Sequence, residues 1–317
     1  MKVAVVGAGH LGKHHARIYA EMQGVELVGI CDINEERGRS IAAKYGTQYY
    51  RSYQDLARLD LAAASVAVPT VEHYRVAKTL LESGVSVLIE KPITGSLQEA
   101  EELIKLAARK SLCLQVGHVE RFNPAIIAAR RIVTTPLFFE GHRLSAFSAR
   151  SLDIDVVMDL MIHDIDIVLS MVDSPVASVQ AAGIAVITNR IDIANARIEF
   201  DNGCIANLTA SRISNEKLRK MRLFQPNDYI SIDYVRQEAI VASLKKSEGL
   251  LEVIARHLSV EPAEPLRLEL EAFLASVKDG QPPRVTGEDG KRALELALRV
   301  IEKIAEHGKK IGLAAIY

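Results

Sequence analysis

Three groups of residues in this sequence have types and spacings that can do chemistry. Gly7-Ala8-Gly9-His10-Leu11-Gly12 has the spacing of a turn that cradles phosphate, Lys91 stands between Glu90 and Pro92 after an apolar run, and Asp159 lies four residues before His163. In the first group Gly7 permits a tight turn, Gly9 lets backbone N–H groups approach a pyrophosphate, and Gly12 allows a helix to pack closely on a strand. A helix starting beyond His10 and Leu11 presents the positive end of its dipole to the phosphate charge. Asp32, twenty residues past Gly12 at the end of the next apolar run, can accept hydrogen bonds from a ribose diol and repel a 2′-phosphate. That selects NAD over NADP, although Arg37 is a cation within reach of a 2′-phosphate.

Lys91 closes the run Val85–Ile89, which puts it at the C-terminal end of a strand, where open α/β sheets bind ligands. An ammonium there stabilises alkoxide character as hydride leaves the neighbouring carbon. On a helix, Asp159 and His163 share one face. An imidazole titrates near neutrality and can take a hydroxyl proton, while a carboxylate orients it or raises its basicity. Groups of these types can serve hydride transfer beside a bound nicotinamide. His163 is the expected general base, Asp159 its orienting partner or a substrate ligand, and Lys91 the electrostatic group, with Asp166 a further polar contact. The bland alternatives are glycines that only shape a turn and a core histidine in a capped helix.

Taken with Val68-Pro69-Thr70 and His73, Glu90-Lys91-Pro92, Arg121-Phe122 with Pro124, and Asp159 with His163 and Asp166, the sequence resembles the glucose-fructose oxidoreductase and inositol dehydrogenase family, Gfo/Idh/MocA, along nearly its whole length. The resemblance implies NAD as cofactor, a lysine at position 91 that touches the substrate oxygen, and a cis Lys91–Pro92 bond. Cofactor contacts are then expected from Gly7, Gly9, His10, Leu11, Gly12, Asp32, Val68, Pro69, Thr70, His73, Glu90 and Lys91. Val157, Met158 and Met161 stand where the commoner family pattern has glycines. With the segment Gly117–Pro124, this looks most like the branch that oxidises the 3-hydroxyl of UDP-linked N-acetylhexosamines such as UDP-N-acetylglucosamine. Substrate contacts are expected from Lys91, His118, Arg121, Asn123, Asp159 and His163. Arg150, Arg212, Arg219 and Arg222 offer cations to a diphosphate, and Arg212 is taken as the substrate ligand among them. A domain-linking ion pair is the alternative for Arg121. Other enzymes of the same fold, a cyclitol or free-sugar dehydrogenase or a deoxysugar ketoreductase, remain alternatives, as does a non-catalytic dinucleotide-binding redox sensor.

The elements that must position these residues follow from periodicity. Val3–Val6, Glu26–Cys31, Ala63–Val68, Val85–Ile89 and Cys113–Val116 are short apolar runs separated by helical patterns such as Glu35–Tyr45, Glu72–Ser83 and Leu97–Arg109. That alternation predicts an α/β, doubly wound Rossmann domain over residues 1–120. Beyond Phe122 the texture changes. Ala196, Ile198 and Phe200 alternate with charged residues, Asp201-Asn202-Gly203 turns the chain, and Ala206, Leu208 and Ala210 follow, which reads as a β-hairpin. Further alternation at Met221–Phe224 and Tyr229–Val235, then two amphipathic helices after Pro265, predict an α+β domain over 121–317. Its sheet is expected to be predominantly antiparallel with one open face, used to form a homodimer or homotetramer.

Composition bounds the partners. With 39 basic and 40 acidic residues and a formal net charge of -1, there is no basic stripe for nucleic acid and no polybasic segment for a membrane. A small-molecule substrate is expected instead. Cys31, Cys113 and Cys204 fit neither a disulfide framework nor a thiolate metal site, so no metal is expected and a reducing cytoplasm is. Met1 leads within one residue into a strand-like run, leaving no room for a signal peptide.

Overall fold

Runs of Val, Ala and Ile that are apolar on both faces form the first sheet. The computed structural model describes residues 1–147, 154–247, 250–310 and 312. The chain divides into two units, Met1–Val119 with Glu264–Lys291, and Glu120–Ala263 with Arg292–Tyr317. In the first, β1 (Lys2–Val6), α1 (Gly12–Glu21), β2 (Glu26–Cys31), α2 (Glu35–Lys44), β3 (Gln48–Tyr50), α3 (Tyr53–Leu56), β4 (Ala63–Val66), α4 (Thr70–Glu82), β5 (Ser86–Glu90), α5 (Leu97–Arg109) and β6 (Leu114–Gly117) alternate. The strands are parallel in the order β3-β2-β1-β4-β5-β6. Every residue of β4 and β5 is buried, as a sheet covered on both faces requires. Asn34, Ser52 and Ser96 cap α2, α3 and α5 by accepting backbone N–H bonds, satisfying donors that a helix start leaves open. The strand order reverses between β1 and β4, the switch point at which such sheets take their ligands.

A 3-10 turn, Val119–Phe122, leads into α6 (Pro124–Arg130), β7 (Phe138–Leu144), a π-helical turn (Val157–Met161), α7 (Ile162–Met171), β8 (Val176–Ile184), β9 (Ile193–Phe200), β10 (Ile205–Ser211), β11 (Leu218–Gln225), β12 (Asp228–Asp233), β13 (Glu238–Ser247) and β14 (Leu250–His257). These strands form one sheet ordered β14-β13-β12-β11-β7-β10-β9-β8, in which only the β7–β10 pair is parallel. Period-two alternation splits its faces. Phe139, Ala196, Ile198, Leu208 and Leu223 pack with Ile165 and Val168 of α7 in one apolar core. The opposite face carries Glu140, His142, Asn195, Arg197 and Arg222, with Arg222 ion-paired to Glu140 at 2.9 Å. This is the mostly antiparallel, open-faced sheet that the alternation predicts.

α8 (Pro265–Asp279) and α9 (Gly287–Lys310) close the chain's described elements. Sequence reading puts both in the second domain, whereas Glu264–Lys291 clusters with the first unit. Leu270, Phe273 and Leu274 share a core with Val3, Val5, Ile18 and Tyr19, and Val116 N–H donates to the Val285 carbonyl at 3.1 Å. Ala293, Ala297, Val300 and Ile304, further along α9, belong to the second unit's core. Helical periodicity reports that a face is buried but not the sheet that buries it. Among the described residues no helix is long and apolar enough to cross a membrane.

Candidate active site

The glycine turn has three different environments. Gly7 has φ +96°, and a Cβ there would lie 2.4 Å from the Ala67 carbonyl oxygen; at Gly12 it would lie 1.7 Å from the Gly7 carbonyl oxygen; at Gly9 it would meet nothing within 4 Å. Gly7 and Gly12 are thus required by the fold, and Gly9 by open space at the mouth of α1. These residues fit a bound dinucleotide, whose pyrophosphate would lie against Gly9 and the first N–H groups of the helix. His10 and Leu11 are exposed beside that opening, with the His10 ring 5.6 Å from that of His14, edge to face.

Asp32 stands just past β2 with its carboxylate fully engaged. It accepts from the N–H groups of Ala8 at 2.7 Å and Asn34 at 2.8 Å, and from Arg37 Nε at 3.1 Å and a terminal nitrogen at 2.7 Å. Burial pushes the carboxyl pKa up, but the Arg37 guanidinium and the two backbone donors outweigh burial and hold it below the ordinary Asp value. Asp32 is therefore a carboxylate at neutral pH. Arg37, half-exposed, occupies oxygens that a ribose diol would need, so binding a diol requires the guanidinium to give way.

The ends of β4 and β5 are tied together by His73. Its Nδ1 lies 2.8 Å from the Pro92 carbonyl oxygen and its Nε2 2.9 Å from that of Val68. Burial pushes its pKa down against the pull of those carbonyls, and a neutral imidazole donates through one nitrogen at a time. His73 is buried under Val68-Pro69-Thr70, which starts α4, and braces it to the Lys91–Pro92 turn, where the peptide bond is cis as the resemblance implies. Lys91 itself is half-buried at the end of β5. Glu90 turns inward to His15 of α1, whose Nε2 lies 2.9 Å from its Oε1. Sequence reasoning missed His15, although Gly12, His15, Ala16 and Tyr19 share the buried face of α1 and a polar group on such a face needs a partner. His118 is buried immediately after β6, its N–H donating to the Val116 carbonyl at 2.8 Å.

In the second unit Asp159 falls within the π-helical turn and His163 in the first turn of α7. The expected single regular helix is instead a π-to-α junction, a form that recurs at functional sites, and both side chains are half-buried. The segment before it is pinned: Val156 N–H donates to the Ile191 carbonyl, Ile191 N–H to the Asp155 carboxylate, and Arg212 to the Ile154 carbonyl at 2.6 Å. Arg212 is 5 % exposed with its Nε 3.8 Å from Asp192, so the arginine expected at a diphosphate anchors the approach to Asp159. Arg150 lies outside the described residues. Arg121 pairs with Asp166 through two bonds of 2.7 Å, both side chains buried. Asn123 caps α6 and donates to the Tyr234 carbonyl at 3.0 Å.

A charged cluster that sequence reasoning missed supports α7. Arg143 donates to Glu120 at 2.8 Å and to Asp164 at 3.0 and 2.8 Å, and lies 4.9 Å over the Tyr234 ring. Burial alone would push the Arg143 pKa down; Asp164 and Glu120 overcome it and hold it well above the ordinary value. Its signal was present, since Arg143 shares strand parity with Phe139 and Gly141, both buried, and a guanidinium on a core face requires carboxylates. Among the described residues no group of three or more His, Cys, Asp or Glu is arranged to hold a metal.

Residues 1–118 match the oxidoreductase family with an NAD-binding Rossmann fold, and residues 134–225 match the Gfo/Idh/MocA C-terminal domain. The chain is 36% identical over 303 residues to the UDP-N-acetylglucosamine 3-dehydrogenase of Acidithiobacillus ferrooxidans, covering 95% of this chain and 96% of that protein. A solved structure of that enzyme superposes with a TM-score of 0.91 over 96% of this chain and 97% of that one. Identity to the NAD(+) scyllo-inositol 2-dehydrogenase of Bacillus subtilis is 26%, over 94% and 92% of the two chains. Levoglucosan dehydrogenase, solved with NADH and levoglucosan, shares the fold at 19% identity and a TM-score of 0.86, over 96% of this chain and 97% of that one. A glycine turn at a Rossmann switch point, an open-faced second sheet and these matches over nearly all of its length show that the chain belongs to the Gfo/Idh/MocA family of NAD-binding oxidoreductases.

Proposed function

We propose that this enzyme oxidises the 3-hydroxyl of a UDP-linked N-acetylhexosamine, UDP-N-acetylglucosamine first among them, with NAD as acceptor. The observation that carries the reading is 36% identity over 95% of the chain to a protein named for that reaction. Bound NAD supplies the hydride acceptor. Lys91 stabilises negative charge on the reacting oxygen, His163 takes the hydroxyl proton, and Asp159 orients the imidazole or the sugar. Gly9 and the N-terminus of α1 hold the pyrophosphate, and Asp32, ionised and released by Arg37, accepts the ribose diol. Its negative charge supports NAD over NADP. Arg121, Asn123 and Arg212, each spent on a protein partner, position the segments around Asp159.

The open face of the second sheet supports a homodimer or homotetramer as the assembled state. It holds a concavity of about 910 Å³ lined by residues such as Glu140, His142 and Arg197, on the side of the sheet away from α7, and an aromatic strip in which the Phe224 ring lies 5.9 Å from Phe138 and 5.1 Å from Tyr229. Light scattering should give a multiple of the chain mass, and a strictly monomeric mass would contradict this. Cys31, Cys113 and Cys204, all free thiols, support the cytoplasm proposed as its compartment.

The test is nicotinamide absorbance of purified enzyme with UDP-N-acetylglucosamine, free N-acetylglucosamine, free hexoses and inositols. The UDP-sugar should react far faster than the free sugar, because the nucleotide supplies remote binding energy that positions the ring. Equal efficiency on a free hexose or inositol would make this a simple polyol dehydrogenase.

A further inference from the structure

Arg219 and Arg143 are direct cross-strand partners in the β11–β7 pair, followed along the strands by Met221 with Gly141 and Leu223 with Phe139. By strand parity both arginines therefore face the helix-covered side. Two guanidiniums side by side need negative charge. Arg143 has it from Glu120 and Asp164. For Arg219 no carboxylate among the described residues comes within ion-pair distance. Its Nε is buried without an acceptor while the residue as a whole stays half-exposed. Burial and the charge of Arg143 push its pKa down, and Asp159 is among the carboxylates whose field pulls it back. A buried N–H without an acceptor is costly, and the strand pairing sets this guanidinium beside the Arg143–Asp164 pair, next to His163 in the first turn of α7.

The neighbouring arginines differ in exposure or in the face they occupy: Arg121 and Arg212 are buried, whereas Arg219 is half-exposed on the helix-covered side. Arg121 is taken by Asp166, Arg212 by the Ile154 carbonyl beside Asp192, and Arg222 points to the open face and Glu140. We infer that Arg219 binds an oxyanion of the substrate, donating guanidinium N–H bonds to it while the reacting hydroxyl lies at Asp159 and His163. The chemistry is that of a phosphate of a sugar nucleotide or a carboxylate of a uronic sugar, either of which matches a guanidinium fork. Resting on the sugar-nucleotide reading, the inference commits that reading's diphosphate to Arg219 in place of Arg212.

The experiment compares the parent with Arg219→Met and Arg219→Lys. UDP binding is measured by calorimetry, KM by the nicotinamide assay with UDP-N-acetylglucosamine and with glucuronate, and NADH binding by fluorescence. Arg219→Met should weaken UDP binding and raise KM for the UDP-sugar on the order of tenfold to a hundredfold, the value of a hydrogen-bonded charge, with NADH affinity held. Arg219→Lys should fall between, keeping the charge but not the fork. If Arg219→Met does not fold, the lysine variant decides alone. Parent-like UDP affinity and KM in the variant that folds would overturn the inference and leave the sugar-nucleotide reading standing. A parent that oxidises glucuronate but no UDP-sugar, with the same loss in the variants, keeps Arg219 and overturns the nucleotide. A parent whose only substrates are neutral polyols, insensitive to both variants, overturns both.

Discussion

Asp32–Arg37 in the first unit and Asp164–Arg143 in the second are the same fork-on-carboxylate contact, at 3.1 and 2.7 Å in one and 3.0 and 2.8 Å in the other. They differ in water. The Arg37 side chain is 48% exposed and that of Arg143 is 2% exposed. Where water can replace the guanidinium the pair is exchangeable, and a ligand hydroxyl can compete for the carboxylate. Where it cannot, loss of either partner strands a charge in apolar surroundings. Distance alone therefore does not say which pair is scaffold and which belongs to a binding site; desolvation does.

The largest effect should come from residues outside both pairs. Lys91→Ala and His163→Ala, one from each unit, are expected to lower turnover by about a hundredfold to ten-thousandfold. NADH affinity and melting temperature should hold, and a variant with parent-like rates loses its assigned role. Next is Arg143→Met, which leaves Glu120 and Asp164 buried and unpaired and should cost about 3–5 kcal/mol in urea unfolding. A loss below about 1 kcal/mol would erase the contrast between the two pairs. The glycine turn sharpens the contrast within one loop. Gly12→Ala forces a Cβ onto the Gly7 carbonyl and should destabilise the fold, whereas Gly9→Ala meets nothing in the protein and should leave stability intact while weakening NADH binding in titration.

The smallest effect is expected of Arg37→Ala, about 0–1 kcal/mol in stability. Because the native Asp32 pKa is lowered, the pair's contribution is complete above the ordinary carboxylate range and lost as pH falls through the native value. Parent and variant unfolding curves should therefore converge in acid. NADH should bind the variant at least as well as the parent, and Asp32→Ala should relax discrimination against NADPH. A clear preference of the parent for NADP would remove the argument from Asp32.

Much of this was legible in the residues. Period two and period 3.6 gave both sheets, the hairpin at Asp201–Gly203 and the strand ends that carry Asp32 and Lys91, because those features are local. Illegible were pairings between segments distant in the chain. Arg121 and Asn123 read as substrate ligands by type, and their bonds to Asp166 and to the Tyr234 carbonyl could not be read from the chain. Arg212 read as a diphosphate ligand and binds the backbone before Asp159. The π-helical turn was hidden because its Asp-to-His spacing is also that of an ordinary helix. Arg143 and His15 were within reach, since parity and helical face put each in a core where a partner is obligatory.

The first unit draws Glu264–Lys291 into its core, and this bears on how the protein is made. A ribosome adds roughly 5–20 residues per second, so the nascent sheet of β1 to β6 waits many seconds before Leu270, Phe273 and Leu274 emerge to cover Val3, Val5 and Ile18. During that interval the N-terminal segment offers apolar surface to chaperones or to its neighbours on a polysome. A fragment ending at Val119 would keep that exposure permanently, so the cofactor-binding half is obtained as a well-behaved domain only with Glu264–Lys291 joined back to it.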